Sequence, residues 1–352
     1  MADSKIEWTD KTWNPVRGCA LVSAGCENCY AMKFAHRFSG KGGRYEGLTE
    51  LGPKGPRWNG NVRVVPEMLE APLHWTKPGR IFVNSMSDLF HKDVPEEFID
   101  RVFAVMAICA YTVRCRRKNC NHEGFSCETP RVSPMPFGHV FQILTKRPES
   151  MRDYLTSTHR IKKIFDAMGS IGWHFEKDGF RMELPLPNVW LGVSVENQKA
   201  ADERIPLLLE TPGWVRWISA EPLLSAIDIS KWLSPCSYYC DHDADGGGHR
   251  PERGIEWVVV GGESGGQARP FNVKWPIELI QECKAASIPV FVKQVGSDPF
   301  FSAMGEDVEF PSHVGVEWSG HGVATGRPCL TDRKGGDPTE WPEDLRVREF
   351  PT

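Results

Sequence analysis

Short apolar, β-branched runs alternate along this chain with helical patterns, and polar residues follow each run. The runs cover residues 81–85, 140–145, 189–195, 215–219, 257–261 and 290–294, with a shorter one near 12–16. Continuous apolarity over such a length is typical of strands that are buried on both faces, as in a parallel sheet. Helical patterns fill the intervals at residues 95–111, 147–155, 196–209 and 276–286. The alternation predicts an α/β fold of about seven parallel strands, arranged as a (β/α) barrel or partial barrel.

Two polar segments and a polar tail interrupt this pattern. Segments 114–138 and 234–254 are rich in Cys, His, Gly and Pro, and residues 296–352 are rich in Gly, Pro and charge. We therefore expect a single barrel-like domain over residues 1–295 with two Cys/His-rich insertions. Residues 296–352 are expected to form a C-terminal extension that packs on the barrel.

Charge, cysteine content and the first residues narrow the class of protein. The formal net charge of −4 argues against coating nucleic acid through bulk charge, although a local basic patch is compatible with it. The first ten residues are too polar for a signal peptide, and no apolar run reaches membrane-spanning length. Eleven cysteines on a chain of this length suit reduced, metal-binding thiols better than a secreted disulfide scaffold. We expect a cytoplasmic protein that does not enter the membrane.

Three cysteines near the N-terminus, Cys19, Cys26 and Cys29, lie on one short loop that also contains glycines. Three thiolates can hold three irons of a 4Fe-4S cluster, and the fourth iron can then bind a reacting molecule such as S-adenosylmethionine. A structural zinc site normally has a fourth protein ligand, and an electron-carrying cluster normally uses four cysteines. The triad therefore predicts a 4Fe-4S cluster with an open position. A zinc or redox site that borrows a distant ligand is the alternative.

The two insertions carry paired cysteines. Cys115 and Cys120 lie in the first insertion, and Cys236 and Cys240 lie in the second. Because both insertions follow a helix and precede a strand, we expect them on one face, where four thiolates can hold a tetrahedral zinc ion. Such a structural zinc would join two loops that have no core of their own. Loose surface cysteines are the alternative, and the sequence leaves three other ligands open: His122, Cys127 and His242.

Polar side chains follow the predicted strands at the edge where barrel enzymes place their active sites. Acids, bases and hydroxyl groups are mixed there, as is typical of a site for a small molecule. Any single one of them could instead be a helix cap or a solvated loop residue. We expect six to line a cavity for cofactor and substrate: Ser85, Asp88, Lys146, Ser194, Glu196 and Glu221.

The stretch from Lys33 to Arg63 is basic and contains aromatic residues. Seven Lys or Arg residues stand there against two Glu residues, with Phe38, Tyr45 and Trp58 between them. Cations combined with aromatic rings suit phosphate neutralisation and base stacking, which makes a nucleic acid a candidate partner. A solvated loop explains the same composition nearly as well.

Several longer motifs are specific enough to compare with a known family. They are IEWTDKTWNP at residues 6–15, the segment from Gly18 to Ala31 with its three cysteines, LTKRP at 144–148, WLGVSVE at 190–196, SAEPL at 219–223 and VGGES at 260–264. These motifs resemble the phage Gp37/Gp68 family, a domain of unknown function, over nearly the whole chain apart from the two insertions. That family is similar to radical S-adenosylmethionine enzymes and, more distantly, to the spore photoproduct lyase branch that repairs DNA.

The resemblance implies a barrel of the radical S-adenosylmethionine type. It also implies S-adenosylmethionine as cofactor, bound at a cluster on Cys19, Cys26 and Cys29, and a partner protein that donates electrons. Two features depart from the usual pattern of such enzymes. Six residues rather than three separate the first two cysteines, and Asn28 stands where an aromatic residue is usual.

Three classes of function are compatible with these observations. The leading hypothesis is a radical S-adenosylmethionine-type 4Fe-4S enzyme that modifies or repairs a nucleic acid or nucleotide. The second is a non-catalytic, metal-stabilised, phage-related protein that binds nucleic acid or a partner, and the third is a barrel hydrolase built on the strand-end acids. Metal content separates the first two, because iron with acid-labile sulfide indicates the enzyme and zinc alone indicates the binding module. Activity in the absence of metal would indicate the hydrolase.

Overall fold

The computed structural model describes residues 4–111, 138–173, 182–233, 254–302, 308–319 and 325–351. The chain divides into two compact units. The first comprises Met1–Val22, Cys29–Gly192 and Glu210–Trp214, and the second comprises Ser23–Asn28, Val193–Leu209 and Val215–Thr352. The ligands expected for zinc lie outside the described residues, so that site stays a prediction: Cys115, Cys120, His122, Cys127, Cys236, Cys240 and His242.

Strands and helices are numbered in chain order. The strands are β1 (Lys11–Trp13), β2 (Val16–Arg17), β3 (Thr49–Gly52), β4 (Gly55–Trp58), β5 (Arg63–Val64), β6 (Gly79–Val83), β7 (His139–Thr145), β8 (Val189–Ser194), β9 (Val215–Ala220), β10 (Trp257–Gly261), β11 (Phe271–Asn272), β12 (Val290–Gln294), β13 (Pro299–Ser302), β14 (Val316–Ser319) and β15 (Thr325–Pro328). The helices are α1 (Tyr30–His36), α2 (Glu96–Tyr111), α3 (Pro148–Thr156), α4 (Arg160–Ser170), α5 (Gln198–Leu209) and α6 (Lys274–Ala285).

Parallel strands form the centre of each unit. In the first unit β1, β6 and β7 pair in parallel, with Ile81 opposite Phe141. In the second unit β9, β10 and β12 pair in parallel, and Val258 lies opposite both Ile218 and Val290. Together with β8, the strands are hydrogen-bonded in the order β1-β6-β7-β8-β9-β10-β12. This order confirms the predicted α/β fold with a seven-stranded parallel sheet. It leaves β1 and β12 at the edges among the described strands, which is compatible with a partial barrel.

The strands form where the sequence is continuously apolar, because both of their faces are covered. Every residue of β8 and of β10 is buried. Helix α2 is buried along almost its whole length, as its run of Val, Phe, Ala, Met and Ile indicates. None of the helices in the described ranges is both long enough and apolar enough to cross a lipid bilayer.

A small apolar cluster in the first unit positions the helix that follows the cysteine loop. Helix α1 buries Ala31, Met32 and Ala35, which pack with Tyr45 and with Leu48, Trp58 and Met86. Tyr45 and Leu48 precede the β3–β4 hairpin, Trp58 ends it, and Met86 follows β6. Cys19 and Cys29 are partly buried against this cluster. The cluster therefore holds both cysteines next to α1.

The end of the chain packs within the second unit. The backbone N–H of Val292, in β12, donates a hydrogen bond to the Val347 carbonyl. Phe291 and Arg348 form an antiparallel β-bridge through their backbones. Trp341 is fully buried and donates its indole N–H to the Gly335 carbonyl at 3.1 Å. The expected boundary at residue 295 between a barrel and an extension stays a prediction.

Candidate functional site

The cysteine loop connects β2 to α1. Cys19 lies just after β2, Cys26 ends a short 3-10 helix that spans Ala24–Cys26, and Cys29 directly precedes α1. All three are half-buried thiols. Cys19 and Cys29 belong to the first unit and Cys26 to the second. What relates the three as one candidate site is therefore their spacing along the chain.

Gly18 fixes the beginning of this loop. Its φ of +88° lies in the left-handed region, and a Cβ atom there would lie 2.2 Å from the Asn61 carbonyl oxygen. Glycine is the residue that tolerates both conditions. Gly18 also forms a bridge with Ser87, whose hydroxyl donates to the Val16 carbonyl at 2.8 Å. Cys19 thus starts from a defined backbone position beside the residues that follow β6.

Asp88 and Arg147 form a partly buried ion pair next to Cys19. The Arg147 Nη1 atom lies 2.7 Å from the Asp88 carboxylate and 4.0 Å from the Cys19 Sγ atom. Its Nη2 atom donates to the Ala20 carbonyl at 3.2 Å. Asp88 also accepts hydrogen bonds from the Thr145 hydroxyl, at 2.8 Å, and from two backbone N–H groups. The end of β6 and the end of β7 therefore hold a guanidinium group against the first cysteine.

A charged guanidinium group faces the Cys19 thiol. Burial acts to lower the pKa of Arg147, but the charges of Asp88 and Cys19 and their hydrogen bonds outweigh it and raise that pKa. The guanidinium group consequently stays charged. A fixed cation beside a cysteine stabilises the thiolate, the form that binds metals.

Two more of the expected site residues lie in the first unit. The Ser85 hydroxyl donates to the Asn14 side chain at 3.1 Å, and its carbonyl accepts the Tyr30 hydroxyl at 3.0 Å. Because Tyr30 directly follows Cys29, this contact joins the start of α1 to the loop after β6. Lys146 donates its backbone N–H to Asp88 at 3.2 Å. Ser85 thus contacts the residue that follows Cys29, and Lys146 contacts the ion pair beside Cys19.

A second ion pair anchors the middle of the cysteine loop within the second unit. The Glu263 carboxylate accepts from the Asn28 side chain at 2.8 Å and from the backbone N–H and the guanidinium group of Arg269. Arg269 in turn donates to the Ala24 carbonyl at 2.9 Å, and Asn28 donates to the Gln267 carbonyl at 2.8 Å. Burial acts to raise the pKa of Glu263, but the hydrogen bonds from Arg269 and Asn28 prevail and lower it. The segment that carries Cys26 is therefore fixed from both of its ends.

The other expected residues of the second unit also have polar partners. The buried Glu196 carboxylate accepts from Arg204 at 2.9 Å, and the same guanidinium group donates to the Ser194 carbonyl at 2.8 Å. Glu221, which follows β9, forms a short ion pair with Lys293 of β12. Ser194 is buried. The acids after the strands are thus each matched with a cation.

The cysteine triad is predicted as the site of a cluster and not of a single ion. Within the described ranges, no three His, Cys, Asp or Glu side chains are grouped so that they could hold one metal ion. The cysteines of an iron–sulfur cluster bind different irons, so they need not converge on one point. The assignment of Cys19, Cys26 and Cys29 to one cluster rests on their spacing along the chain and stays a prediction.

The basic stretch differs in part from its prediction as a base-stacking surface. Tyr45 and Trp58 are both about 6% exposed, because they fill the apolar cluster beneath α1. They cannot stack on a nucleic-acid base. Phe38 is 48% exposed and remains accessible. Arg57 forms a surface ion pair with Glu50 at 2.6 Å.

Sequence reasoning did not assign a role to Arg147, Arg269 or Asn28. Arg147 stands with Lys146 at a predicted strand end, but it is not among the six residues expected to line the cavity. Asn28 lies in the cysteine loop, at a position where radical S-adenosylmethionine enzymes usually have an aromatic residue. This difference was the sequence feature that could have indicated a separate role for Asn28. Arg269 lies in a loop beyond the glycine-rich turn that follows β10, and no periodicity or motif indicates it.

Comparison with known proteins gives a family and no named relative. No curated protein and no solved structure matches the chain. A family model does match it, over residues 3–121 and 131–320. The matched residues make up most of the chain and include all three cysteines of the loop, Asp88, Arg147 and Glu263. The chain therefore belongs to the family described as "Protein of unknown function (DUF5131)".

Proposed function

We propose that this protein is a radical S-adenosylmethionine-type enzyme with a 4Fe-4S cluster and that it modifies or repairs a nucleic acid or nucleotide. The observation that carries the proposal is the triad Cys19, Cys26 and Cys29 on one short loop. Three thiols leave a coordination position for the amino and carboxylate groups of S-adenosylmethionine. The motif resemblance to the phage Gp37/Gp68 family and, through it, to radical S-adenosylmethionine enzymes points the same way.

The surroundings of the loop support a metal centre. Arg147 places positive charge 4.0 Å from the Cys19 sulfur, where it stabilises the thiolate. Asn28 and Arg269 fix the segment that contains Cys26. A loop held by two partly buried ion pairs keeps its ligands in place when the metal binds.

When bound, the cluster would supply the electron that cleaves S-adenosylmethionine into methionine and a 5′-deoxyadenosyl radical, and a partner protein would supply that electron. The protein's own residues would bind and orient. Lys146 contacts the ion pair of Asp88 and Arg147, and Ser85 contacts Tyr30 at the start of α1; these two are the first-unit residues we assign to cofactor or substrate. Asp88 and Glu196 act through Arg147 and Arg204, whose charges they hold in position.

Anaerobic reconstitution tests the proposal. The protein is incubated with iron, sulfide and zinc, and the bound metals and acid-labile sulfide are then measured. We expect about four irons and four sulfides for each chain, as a 4Fe-4S cluster requires, and a change in the cluster's spectrum when S-adenosylmethionine is added. Cleavage of S-adenosylmethionine to 5′-deoxyadenosine under a chemical reductant completes the test.

Cysteine variants provide the matched control. Cys26→Ala should lose the cluster, whereas Cys329→Ala, which changes an exposed cysteine outside the loop, should keep it. A full cluster in the Cys26→Ala protein would refute the ligand assignment. Zinc bound without sulfide in the unaltered protein would instead favour the non-catalytic binding module.

A further inference from the structure

An exposed aromatic ridge runs along α1, next to Cys29. Tyr30, Phe34 and Phe38 follow one another at intervals of four residues, and their exposed fractions are 52%, 47% and 48%. Four-residue spacing places side chains on the same side of a helix. The rings of Phe34 and Phe38 have their centroids 5.1 Å apart and are inclined at 48°. Backbone hydrogen bonds from Arg37 to Phe34 and from Phe38 to Ala35 continue the turn beyond α1 and hold Phe38 beside Phe34.

Burial of the opposite face makes this exposure a fixed feature of the fold. Ala31, Met32 and Ala35 point into the apolar cluster, so α1 cannot rotate to bury its aromatic rings. The hydrogen bond from the Tyr30 hydroxyl to the Ser85 carbonyl restrains the first ring as well. Large apolar side chains that are grouped and kept on the surface in this way usually mark a binding surface.

Cations flank the ridge. Lys33 and Arg37 lie on α1 and at its end, and Lys41 follows shortly after. None of the three forms an ion pair with a residue that the structure describes. Of the two acids of the same stretch, Glu50 pairs with Arg57, whereas the Glu46 carboxylate accepts the backbone N–H of Gly42, next to Lys41. The ridge is therefore apolar in its centre, and Lys33 and Arg37 are the cations beside it that have no acid of this stretch as a partner.

We infer that Phe34 and Phe38 stack on unpaired bases of a single-stranded nucleic acid while Lys33, Arg37 and Lys41 contact its phosphates. The inference rests on the proposed function, because it names the form of nucleic acid that would reach the same site. Stacking requires an accessible base face, which single strands offer and duplexes hide. Two inclined rings offer separate faces to successive bases.

Charge argues against a second copy of this chain on the ridge. Self-association would bring the Lys33 and Arg37 side chains of two copies against one another. An acidic polypeptide satisfies the charge but does not need two adjacent ring faces. The single strand uses both features.

Binding measurements on the full chain test the inference. Fluorescence anisotropy is recorded with a fluorescein-labelled oligothymidylate of about 12 nucleotides, within the usual size of such sites. The double variant Phe34→Ala, Phe38→Ala should bind about 10-fold more weakly for each ring lost. Phe165→Ala is the matched control, because this phenylalanine is also helical and 40% exposed but lies on α4; it should bind as the unaltered protein does.

The cations are tested through salt dependence. The logarithm of affinity for a single strand falls with a slope of about −0.7 per phosphate contact against the logarithm of salt concentration. Lys33→Ala, Arg37→Ala should therefore reduce the slope by about 1.4. Replacement of Phe34 and Phe38 by alanine, in contrast, should lower the affinity without changing the slope.

Several outcomes would overturn the inference. The first is an unchanged affinity of the double phenylalanine variant for the oligothymidylate. The second is a loss of affinity in the Phe165→Ala control equal to that in the double variant. The third is a loss of affinity for a duplex of the same sequence, in the double variant, equal to its loss for the single strand. Polyglutamate is the further probe, and an equal loss for it would assign the ridge to acidic polypeptides instead. Because binding is read without iron or S-adenosylmethionine, a protein that binds the single strand through the ridge but holds no cluster would refute the proposed function alone. A protein that holds the cluster but whose single-strand affinity does not change in the ridge variants would refute this inference alone.

Discussion

Replacement of Glu263 by glutamine should destabilise the second unit in a pH-dependent way. Glutamine keeps an acceptor for Asn28 but removes the negative charge that faces Arg269. Breaking a fully buried pair costs about 3–5 kcal/mol. The Arg269 side chain is 27% exposed and can regain some hydration. We therefore expect a loss of about 2 kcal/mol in the free energy of unfolding at pH 7.

The sign of the pH dependence follows from the lowered pKa of Glu263. Its folded-state pKa lies below the ordinary value of 4.5, because the hydrogen bonds from Arg269 and Asn28 outweigh the effect of burial. The carboxylate therefore contributes stability that is fully present above pH 4.5 and is lost as the pH falls through the folded pKa. The difference between the unaltered protein and Glu263→Gln should be largest near neutral pH and should narrow in acid.

Urea unfolding followed by tryptophan fluorescence at several pH values measures this difference. Glu278→Gln is the control, since Glu278 of α6 pairs with Lys274 at 3.7 Å on the surface. That pair should contribute less than about 1 kcal/mol. A Glu263→Gln protein that resembles the control at pH 7, or a difference that keeps its full size in acid, would contradict the stabilising role of this ion pair.

Three further changes concern the first unit. Asp88→Asn leaves the guanidinium group of Arg147 without its counter-ion and should cost about 3 kcal/mol in urea unfolding; a cost below about 1 kcal/mol would contradict the buried pair. Arg147→Met should slow iodoacetamide alkylation of Cys19 at neutral pH, as read by mass spectrometry, because the thiolate loses its cation; an unchanged rate would contradict this. Gly18→Ala should destabilise the protein by more than about 1 kcal/mol, since the new methyl group meets the Asn61 carbonyl at a left-handed φ; a thermal denaturation midpoint equal to that of the unaltered protein would exclude the predicted clash.

The sheet could be predicted because its strands have a strong local signal. Val258, Val259 and Val260 are consecutive, apolar and β-branched, and such a run has few alternatives to a buried strand. The β3–β4 hairpin gave no comparable signal. Its strands have four residues each and contain Gly or Pro, which weaken strand propensity. It forms because Trp58, at its end, packs against α1 in the apolar cluster.

The sequence indicated where the acids of the candidate site lie along the chain, but not which side chains they pair with. The strand-end rule placed Asp88 and Glu196 correctly after their strands, but it could not show that each carboxylate faces a guanidinium group. Arg147 follows Asp88 by 59 positions in the chain, and their contact depends on the parallel pairing of β6 with β7. Tertiary structure of this kind has no trace in local composition. The same holds for Tyr45, whose neighbours in sequence are charged although its ring is buried.

The pairing of the strand-end acids also bears on the choice between the proposed chemistries. A hydrolase needs a carboxylate that can take up and release a proton near neutral pH. A carboxylate that faces a guanidinium or ammonium group is instead stabilised in its charged form. Glu263 is such a group: burial acts to raise its pKa, but the hydrogen bonds from Arg269 and Asn28 outweigh burial and lower it. Glu263 is then a poor general base, which favours metal-centred chemistry over a hydrolase that uses this acid.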